Sequence, residues 1–540
     1  MNEFYRMAVR NIAEKGDTDI FPFPVERYLF QDRQKEILRI LSDMDSNYES
    51  LIQASPIDCI KACVPHNYRG FRWATMIDPL WNAFFLGEVL KISSQIENMR
   101  IPVKEKCVFS YRLKYDKQTG LLFDPKVSFK SYTETSEKMA EKCSFIINFD
   151  ISNFYNCINH ERLKEILLDD VKADSNEVAR IMELISGISG KGVKFGLPIG
   201  GNASRILAEA YLIRSDNFMK ENGIRFCRFV DDFYVYADSR NDAFSILNRC
   251  ADFFQRYLEL TFQKSKTSIM SKKDFRAHSE SVLDEIKREN DPARASILSF
   301  KRGVDKYLEM GNEEMRDLRG RINGSELVTL LKLECTKTEI NQTFSKQLVN
   351  AVQVIDRKNQ SLAFEVLSEN FDKLYPVFPV IMRRAYYNLP YCSIKAKKAF
   401  FSKLAELFGK NSYIVQTANN ASYALRVLSK YDNRHSIKII DKVYSGNSEG
   451  NPEHFNLVKA NAIYAMTNLG NIPWLRERLE NFRNLSSWER RAIAASTAFL
   501  EEKGKQHTGK HFSSSSLVEN LMAEWAYEKL SLNPDWRLPL

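Results

Sequence analysis

The sequence predicts an α+β fold in which a mixed N-terminal part precedes an all-α C-terminal part. Two apolar segments of strand length support the first half of this prediction. They are residues 145–151 (FIINFDI) and residues 225–237 (RFCRFVDDFYVYA), and two aspartates interrupt the second segment as a hairpin turn would. After about residue 275 the strand signal ends, and amphipathic segments of helical period follow one another.

Composition and charge are those of an ordinary globular protein. Of 540 residues, 44% are hydrophobic and 27% are charged, which excludes wholesale disorder. The chain has 78 Lys and Arg and 69 Asp and Glu, which gives a net charge of +9. This charge permits a polyanionic partner without requiring one. No secretory signal, no apolar run of ~18 residues and no C-x-x-C pair among nine cysteines occur, so we expect a cytoplasmic protein without membrane association.

Helices are expected on both sides of the predicted strands. Residues 1–140 are predicted to be mostly helical, with residues 66–73 (HNYRGFRW) as a polar, basic and aromatic loop. From residue 276 to 540, helices of 10–15 residues joined by short polar turns predict an irregular solenoid of helical hairpins. Two of these helices open with the capping-box spacing, at Ser486-x-x-Glu489 and Ser516-x-x-Glu519.

Acidic residues lie at the ends of the predicted strands. An Asp at a strand end usually begins a turn, and that explanation is sufficient for Asp150 considered alone. Asp231 and Asp232 are adjacent within an apolar hairpin, where they repel each other unless a cation is near. Two divalent ions ~3.5–4 Å apart, which clamp the attacking and leaving oxygens of a phosphoryl transfer, would be such a partner.

Two further segments lie in suggestive positions along the chain. Residues 195–204 (FGLPIGGNAS) form a glycine-rich turn before a helix, which is an ordinary loop or a surface that a nucleotide approaches closely. Lys264 and Lys266 follow a strand-like run at residues 260–263. They form a solvated strand end, or they contact a triphosphate or act as an acid on the leaving pyrophosphate.

In this order, the segments resemble the palm motifs of reverse transcriptases. The motifs are DISNFY at 150–155, GLPIG at 196–200, FVDD at 229–232 and QKSKT at 263–267. An aromatic residue two before the Asp pair is typical of reverse transcriptases, whereas RNA-dependent RNA polymerases usually have Gly-Asp-Asp. The resemblance implies right-hand polymerase fingers and palm, an antiparallel sheet plus helices, over residues 1–275. An α-helical, HEAT-like repeat domain would follow over residues 276–540.

The resemblance also implies site residues and substrates. Asp150, Asp231 and Asp232, with the Ile151 carbonyl, would bind two Mg²⁺ ions, or Mn²⁺ in their place. Tyr155 would exclude a ribose 2′-hydroxyl, which favours dNTPs and a DNA product. The remaining implied nucleotide-binding residues lie in the central turn, the last motif and the fingers: Gly196, Pro198, Lys266, Arg69, Arg72 and Arg112. The three arginines are equally well explained as ordinary surface residues.

A closer similarity is to the abortive-infection and defence-associated reverse transcriptases of bacteria, in their AbiK-like branch. It rests on RG at 69–70, DPLW at 78–81, VFSYR at 108–112, the GLPIG turn and the long helical C-terminus. Such proteins act in antiviral defence, prime on a protein tyrosine, assemble as homo-oligomers and in some cases use a noncoding RNA. Which of the 23 tyrosines would prime is not readable from the sequence.

Phe195 departs from the pattern of other reverse transcriptases, which have Gln before the glycine of this motif. Since that Gln helps to hold the incoming nucleotide over the template, the departure implies weakly templated or untemplated synthesis. Two alternatives remain open. One is a conventional templated reverse transcriptase of a retroelement or a domesticated host enzyme, and the other is a non-catalytic scaffold that binds RNA or a phage protein.

Overall fold

The computed structural model describes residues 2–18, 20–54, 57–68, 70–277, 322–431, 434–446, 452–500 and 516–540. The chain divides into two compact units that interleave along the sequence. Unit 1 consists of Met1–Asp19, Gln34–Cys59 and Met76–Asn290. Unit 2 consists of Ile20–Arg33, Ile60–Thr75 and Asp291–Leu540. The mixed α and β content agrees with the predicted fold class, whereas the domain boundary near residue 275 stays a prediction.

The strands form a hairpin and a four-stranded sheet. They are β1 (Cys59–Pro65), β2 (Phe71–Ile77), β3 (Phe145–Asp150), β4 (Arg225–Phe229), β5 (Asp232–Ala237) and β6 (Ser268–Ser271). The sheet has the order β4-β5-β3-β6, and all its neighbours are antiparallel. The strand predicted at 145–151 and the hairpin predicted at 225–237 are therefore confirmed.

Helices precede and follow these strands along the chain. Before residue 272 they are α1 (Glu3–Lys15), α2 (Glu26–Asp32), α3 (Gln34–Ser46), α4 (Tyr48–Ala54), α5 (Pro79–Lys91), α6 (Ser93–Met99), α7 (Phe129–Ala140), α8 (Phe154–Cys157), α9 (His160–Glu165), α10 (Ser175–Ser189), α11 (Asn202–Tyr211), α12 (Ile213–Glu221) and α13 (Arg240–Leu258). From residue 322 they are α14 (Gly324–Thr336), α15 (Gln342–Ala351), α16 (Arg357–Glu369), α17 (Phe378–Asn388), α18 (Ile394–Gly409), α19 (Ala418–Leu428), α20 (Arg434–Ser445), α21 (Pro452–Asn468), α22 (Ile472–Glu480), α23 (Ser487–Ser496) and α24 (Leu517–Leu532).

An aromatic core supports the central strand of the sheet. Phe149 of β3 stacks on Phe233 of β5, with ring centroids 4.7 Å apart, and on Phe262, at 4.1 Å. Phe254 of α13 meets both Phe149 and Phe233 edge to face. Because Phe149 and Phe233 are partners in the sheet register and are completely buried, their packing fixes the ends of β3 and β5.

The segment predicted as a loop at 66–73 is partly strand. β1 and β2 pair as a hairpin, and the His66 N–H donates to the Gly70 carbonyl at 2.9 Å. In β1, Ile60, Ala62 and Val64 are buried and their neighbours are more exposed. The loop prediction was wrong for residues 71–73, which belong to β2. The alternation of buried and exposed residues in β1 is short, and the basic and aromatic residues that follow it obscured the hairpin in the sequence.

Unit 2 joins α2 to the C-terminal helices through buried polar contacts. Arg491 of α23 pairs with Glu26 at 3.2 Å, and the Trp525 indole of α24 donates to Asp32 at 2.8 Å. Both predicted capping boxes, at Ser486 and Ser516, are present. From residue 322 onward the described chain contains no strand, as predicted, and a regular HEAT-like repeat stays a prediction. Within the described ranges, no helix combines the length and the apolar character needed to cross a membrane.

Candidate active site

The sheet brings two of the three predicted aspartates together. Asp150, the last residue of β3, is the direct partner of Asp232, the first residue of β5. Opposite residues of antiparallel strands project their side chains to the same face, so the two carboxyl groups lie side by side. Asp231 precedes Asp232 in a two-residue turn, and its carbonyl accepts the Ile151 N–H at 3.1 Å. Residues distant in sequence thus converge at the neighbouring ends of the two inner strands, β3 and β5.

The proximity of these acids changes the pKa of Asp232. Burial, followed by the negative charges of Asp231 and Asp150, raises the pKa of Asp232 to about 7. Two carboxylates so close in a partly buried site cannot both ionise cheaply, so they hold a proton or attract a cation. The pair therefore has a surplus of negative charge near neutral pH.

Lys266 supplies a positive charge at this site. It ends a short 3₁₀ turn before β6, and its ammonium contacts the Asp150 carboxylate. Burial alone would lower the pKa of Lys266, but the hydrogen bond and attraction to Asp150, with the charges of Asp232 and Asp231, raise it overall. Gln263 anchors the turn, because its N–H donates to the Asp150 carbonyl at 2.8 Å. Lys266 is therefore held protonated against the acidic pair.

The acidic pair has the chemistry of a divalent-ion site. Mg²⁺ and Mn²⁺ prefer carboxylate oxygens, and Asp150 and Asp232 offer them together with unbalanced charge. Across the described ranges, however, no group of three or more His, Cys, Asp or Glu side chains is arranged to hold a metal. The residues fit the ion as a pair, with Asp231 next to them in the turn. Ile151 is adjacent, and its role as a carbonyl ligand stays a prediction.

The glycine-rich turn packs against the segment that carries Tyr155. The Leu197 N–H donates to the Tyr155 carbonyl at 2.9 Å, and the Gly196 N–H donates to the Ile158 carbonyl at 2.8 Å. Gly196 has φ +98°, and a Cβ there would lie 3.5 Å from the Asn156 carbonyl oxygen, so Gly suits this position. Pro198 is buried in the same turn.

Tyr155 lies at the side of this site. Its ring meets Phe154 edge to face at 5.5 Å. Burial raises the pKa of the Tyr155 hydroxyl well above its usual value, and Tyr111 and Asp231 add to the shift while Arg205 opposes it. Tyr155 is therefore within electrostatic reach of the aspartate turn.

The three predicted arginines have different outcomes. Arg69 lies outside the described residues. Arg72 lies in β2, within unit 2, where it is exposed and contacts the His66 imidazole at 3.0 Å.

The structure argues against nucleotide binding by Arg112, which is only 3% exposed. Its Nε donates to Glu97 at 2.7 Å and its Nη1 donates to the Ile101 carbonyl at 2.8 Å. The prediction for Arg112 was wrong because an arginine in a polar segment looks the same in the sequence whether its guanidinium is free or buried against an acid.

A buried charged residue that was not predicted lies beside the turn. Arg228 lies in β4, three residues before Asp231, and is completely buried. Its Nη1 donates to the carbonyl of Val230, the residue that precedes the aspartates, at 3.0 Å. The available signal was an arginine at an inward-facing position of an apolar strand, where a charge requires a partner.

Comparisons with known proteins agree with the motif order. Residues 93–294 match the family model described as reverse transcriptase (RNA-dependent DNA polymerase), and the match includes Asp150, Tyr155, Asp231, Asp232 and Lys266. Residues 93–294 are thus similar to reverse transcriptase domains. No curated protein matches the chain.

Telomerases are among the similar solved structures. Telomerase from Candida albicans, in complex with the TWJ fragment of telomeric RNA, has 10% identity over 77% of this chain and a TM-score of 0.31. The alignment covers 63% of that telomerase, which is less than two thirds of its length. Apo telomerase from Candida tropicalis has 11% identity over 78% of this chain and 74% of its own, with a TM-score of 0.27. The Candida tropicalis enzyme with the TWJ fragment has 11% identity over 91% and 68%, with a TM-score of 0.31.

We expect the substitution Asp232→Asn to stabilise the metal-free protein at pH 8 and to lose this advantage toward pH 5. The folded state keeps the Asp232 proton up to about pH 7, whereas an unfolded Asp releases it near pH ~3.9. The contribution of Asp232 to stability is thus fully present below the unfolded pKa and is lost as the pH rises through about 7. Asn does not ionise, so the variant does not lose this stability. We expect the difference in the free energy of unfolding to be on the order of 1–2 kcal/mol at this partly exposed group.

Thermal unfolding in a chelator between pH 5 and pH 8 measures this difference. The control is Asp238→Asn, which changes an exposed acid beyond the other end of β5 that pairs with Arg225 at 2.6 Å. A gain for Asp232→Asn that stays the same across the pH range would show that Asp232 ionises normally.

Proposed function

We propose that this chain is a nucleotidyltransferase that synthesises DNA from dNTPs with two divalent metal ions. The observation that carries the proposal is the pairing of Asp150 with Asp232 on adjacent strands, within a segment that matches reverse transcriptases. A surplus of negative charge at the ends of two paired strands would have no structural benefit by itself, and it suits a site that is completed by cations.

The aspartates would hold the ions, and Mg²⁺ or Mn²⁺ would suit their oxygen atoms. What divalent ions supply in such a site is Lewis-acid stabilisation of the attacking and leaving oxygens. Asp150 and Asp232 are already adjacent, and Asp231 lies next to them in the turn. The Ile151 carbonyl, which follows Asp150 directly, would be an additional ligand.

Lys266 would act on the triphosphate of the incoming nucleotide. Its raised pKa keeps the ammonium charged at neutral pH. The Lys266 ammonium contacts Asp150 here, and with cations balancing the aspartates it would be available to a phosphate oxygen. There it would stabilise the charge that develops on pyrophosphate, or donate a proton to it.

Tyr155, Gly196 and Pro198 would form the wall of the nucleotide pocket. The hydrogen bond from the Leu197 N–H to the Tyr155 carbonyl ties the glycine-rich turn to the segment that carries this tyrosine. A bulky ring at the sugar position would exclude a 2′-hydroxyl and so favour dNTPs over rNTPs.

The finer proposal concerns the biological role. The motifs that are similar to the AbiK-like branch support a role in bacterial anti-phage defence, with protein-primed, weakly templated or untemplated synthesis. Phe195 supports the weak templating, because it is 46% exposed at the start of the glycine-rich turn, where other members have Gln. Homo-oligomers, a partner noncoding RNA and a HEAT-like role for the C-terminal helices belong to the same proposal.

Asp150→Asn and Asp232→Asn should each reduce nucleotide incorporation by about 10³-fold or more, since each removes a charged ligand and keeps the side-chain shape. Incorporation of labelled dNTPs by purified protein measures the effect, with circular dichroism to verify folding. Asp238→Asn, which changes an exposed acid outside the site, should retain activity.

Full activity in both variants would discard the metal assignment. A biological effect that persists in Asp231→Asn, despite lost incorporation, would favour the scaffold function instead.

Sequencing of the product should separate untemplated from templated synthesis. We expect homopolymeric or random DNA from dNTPs, with or without a supplied RNA of defined sequence. Phe195→Gln is the matched variant, since this exposed side chain can change with little effect on folding. It should increase the fraction of product that is complementary to the RNA. A faithful copy made by the unaltered protein would identify the conventional templated enzyme.

Tyr155→Ala should raise the ratio of rNTP to dNTP incorporation by about tenfold or more, because the steric barrier to the 2′-hydroxyl is removed. Single-nucleotide incorporation with each substrate measures this ratio. Tyr155→Phe keeps the ring without the hydroxyl and should leave the ratio unchanged. A ratio that is the same in all three proteins would contradict the role of Tyr155.

A further inference from the structure

A chain of buried charges runs through unit 1 toward the aspartate turn. It consists of Arg100, Glu209, Arg228 and Asp216, none of which is more than 3% exposed. Arg100 Nη2 lies 2.6 Å from Glu209 Oε2, and the same oxygen lies 3.1 Å from Arg228 Nη2. Charges this deeply buried persist only when each is paired and hydrogen-bonded, so the chain constrains the elements it joins.

Arg228 uses its planar guanidinium to bind two kinds of acceptor at once. Nε and Nη2 form a bidentate contact with the Asp216 carboxylate, at 2.8 Å and 2.6 Å. Nη1, on the other side of the group, donates to the Val230 carbonyl at 3.0 Å. Since the guanidinium is rigid, the position of α12, which carries Asp216, determines the position of the Val230 carbonyl.

Val230 needs such support because its backbone is strained. It is the first residue of the β4–β5 turn and has φ +58°, a region that β-branched side chains rarely occupy. Glycine is the usual residue at such a turn position. A strained backbone persists only where its surroundings hold it, and here Arg228 binds the carbonyl of the strained residue. The next two residues are Asp231 and Asp232.

The outer edge of β4 is also fixed. The Arg228 N–H donates to the Cys107 carbonyl at 2.7 Å, and the Arg228 carbonyl accepts the Phe109 N–H at 3.0 Å. Main chain and side chain of Arg228 are thus both held.

We propose that Arg228 is a positioning residue for the metal site, which sets the separation of the aspartates by fixing the Val230 carbonyl against Asp216. This role rests on the proposed function, since it presumes that the aspartates bind divalent ions. It assigns to a buried ion pair, Arg228–Asp216, a purpose beyond stability.

Arg228→Lys is the informative substitution. Lysine keeps the buried positive charge near Asp216 and Glu209, but it cannot contact a carboxylate bidentately and the Val230 carbonyl at once. Arg112→Lys is the matched control. Arg112 is equally a buried arginine that contacts an acid, Glu97, and a backbone carbonyl, that of Ile101. It is linked to Arg100 through Glu97, which lies 3.1 Å from Arg100, but it does not itself contact the aspartate turn.

The first measurement does not involve metal. Hydrogen exchange of the intact chain should show faster exchange at the turn in Arg228→Lys, including the Ile151 N–H that donates to Asp231. Arg112→Lys should leave these amides unchanged. Unaltered exchange at the turn in Arg228→Lys would overturn the proposal. If Arg228→Lys does not fold, Asp216→Asn, which weakens the same contact from the other side, takes its place under the same criterion.

The second measurement is equilibrium binding of Mn²⁺, followed by electron paramagnetic resonance. Arg228→Lys should weaken binding by about 10-fold, as is typical when a residue that orients a metal ligand is lost, and Arg112→Lys should not weaken it. If both variants lose the same Mn²⁺ affinity, Arg228 has only a general structural role and the proposal is overturned. Asp232→Asn is the reference, because unchanged Mn²⁺ binding there would refute the proposed metal site itself, while hydrogen exchange still decides whether Arg228 positions the turn.

Discussion

The candidate site depends above all on the antiparallel pairing of β3 with β5. This register places Asp150 opposite Asp232, and a shift by one residue would turn one of the two side chains to the other face of the sheet. The next pair in the register is Phe149 with Phe233, whose rings stack with centroids 4.7 Å apart. This packing fixes the register. Hydrophobic packing therefore determines where the carboxylates of Asp150 and Asp232 come together.

Charge is balanced differently in two neighbouring parts of unit 1. In the buried chain, Arg228 is paired with Asp216 and Glu209, so that the charges are matched inside the protein. At the ends of β3 and β5, Asp150 and Asp232 outnumber the Lys266 ammonium that contacts Asp150. Matched charges favour a single conformation, and unmatched charges favour ligand binding. The first arrangement holds the backbone that carries the second.

The sequence is most informative where the signal is local. The apolar run at β3 and the Asp pair within the β4–β5 segment predicted both the strands and the acids, because strand length, alternation and turn residues are properties of neighbouring residues. It is least informative where a side chain finds its partner far along the chain. The burial of Arg112 against Glu97, and of Arg228 between Asp216 and Glu209, depends on how helices pack. The β1–β2 hairpin lies between these cases, because its alternation is local but short.

The β4–β5 turn shows why a local rule fails at this place. A two-residue turn with positive φ at its first position ordinarily selects glycine, and the chain has Val230 there. Glycine would remove the strain, but it would also let the backbone on either side of Asp231 adopt several conformations. A valine held by Arg228 has one conformation, and it leaves the following carboxylates less freedom. Local strain and a buried charge, each unfavourable alone, thus combine to fix the direction of two acids, which is a constraint that stability alone would not select.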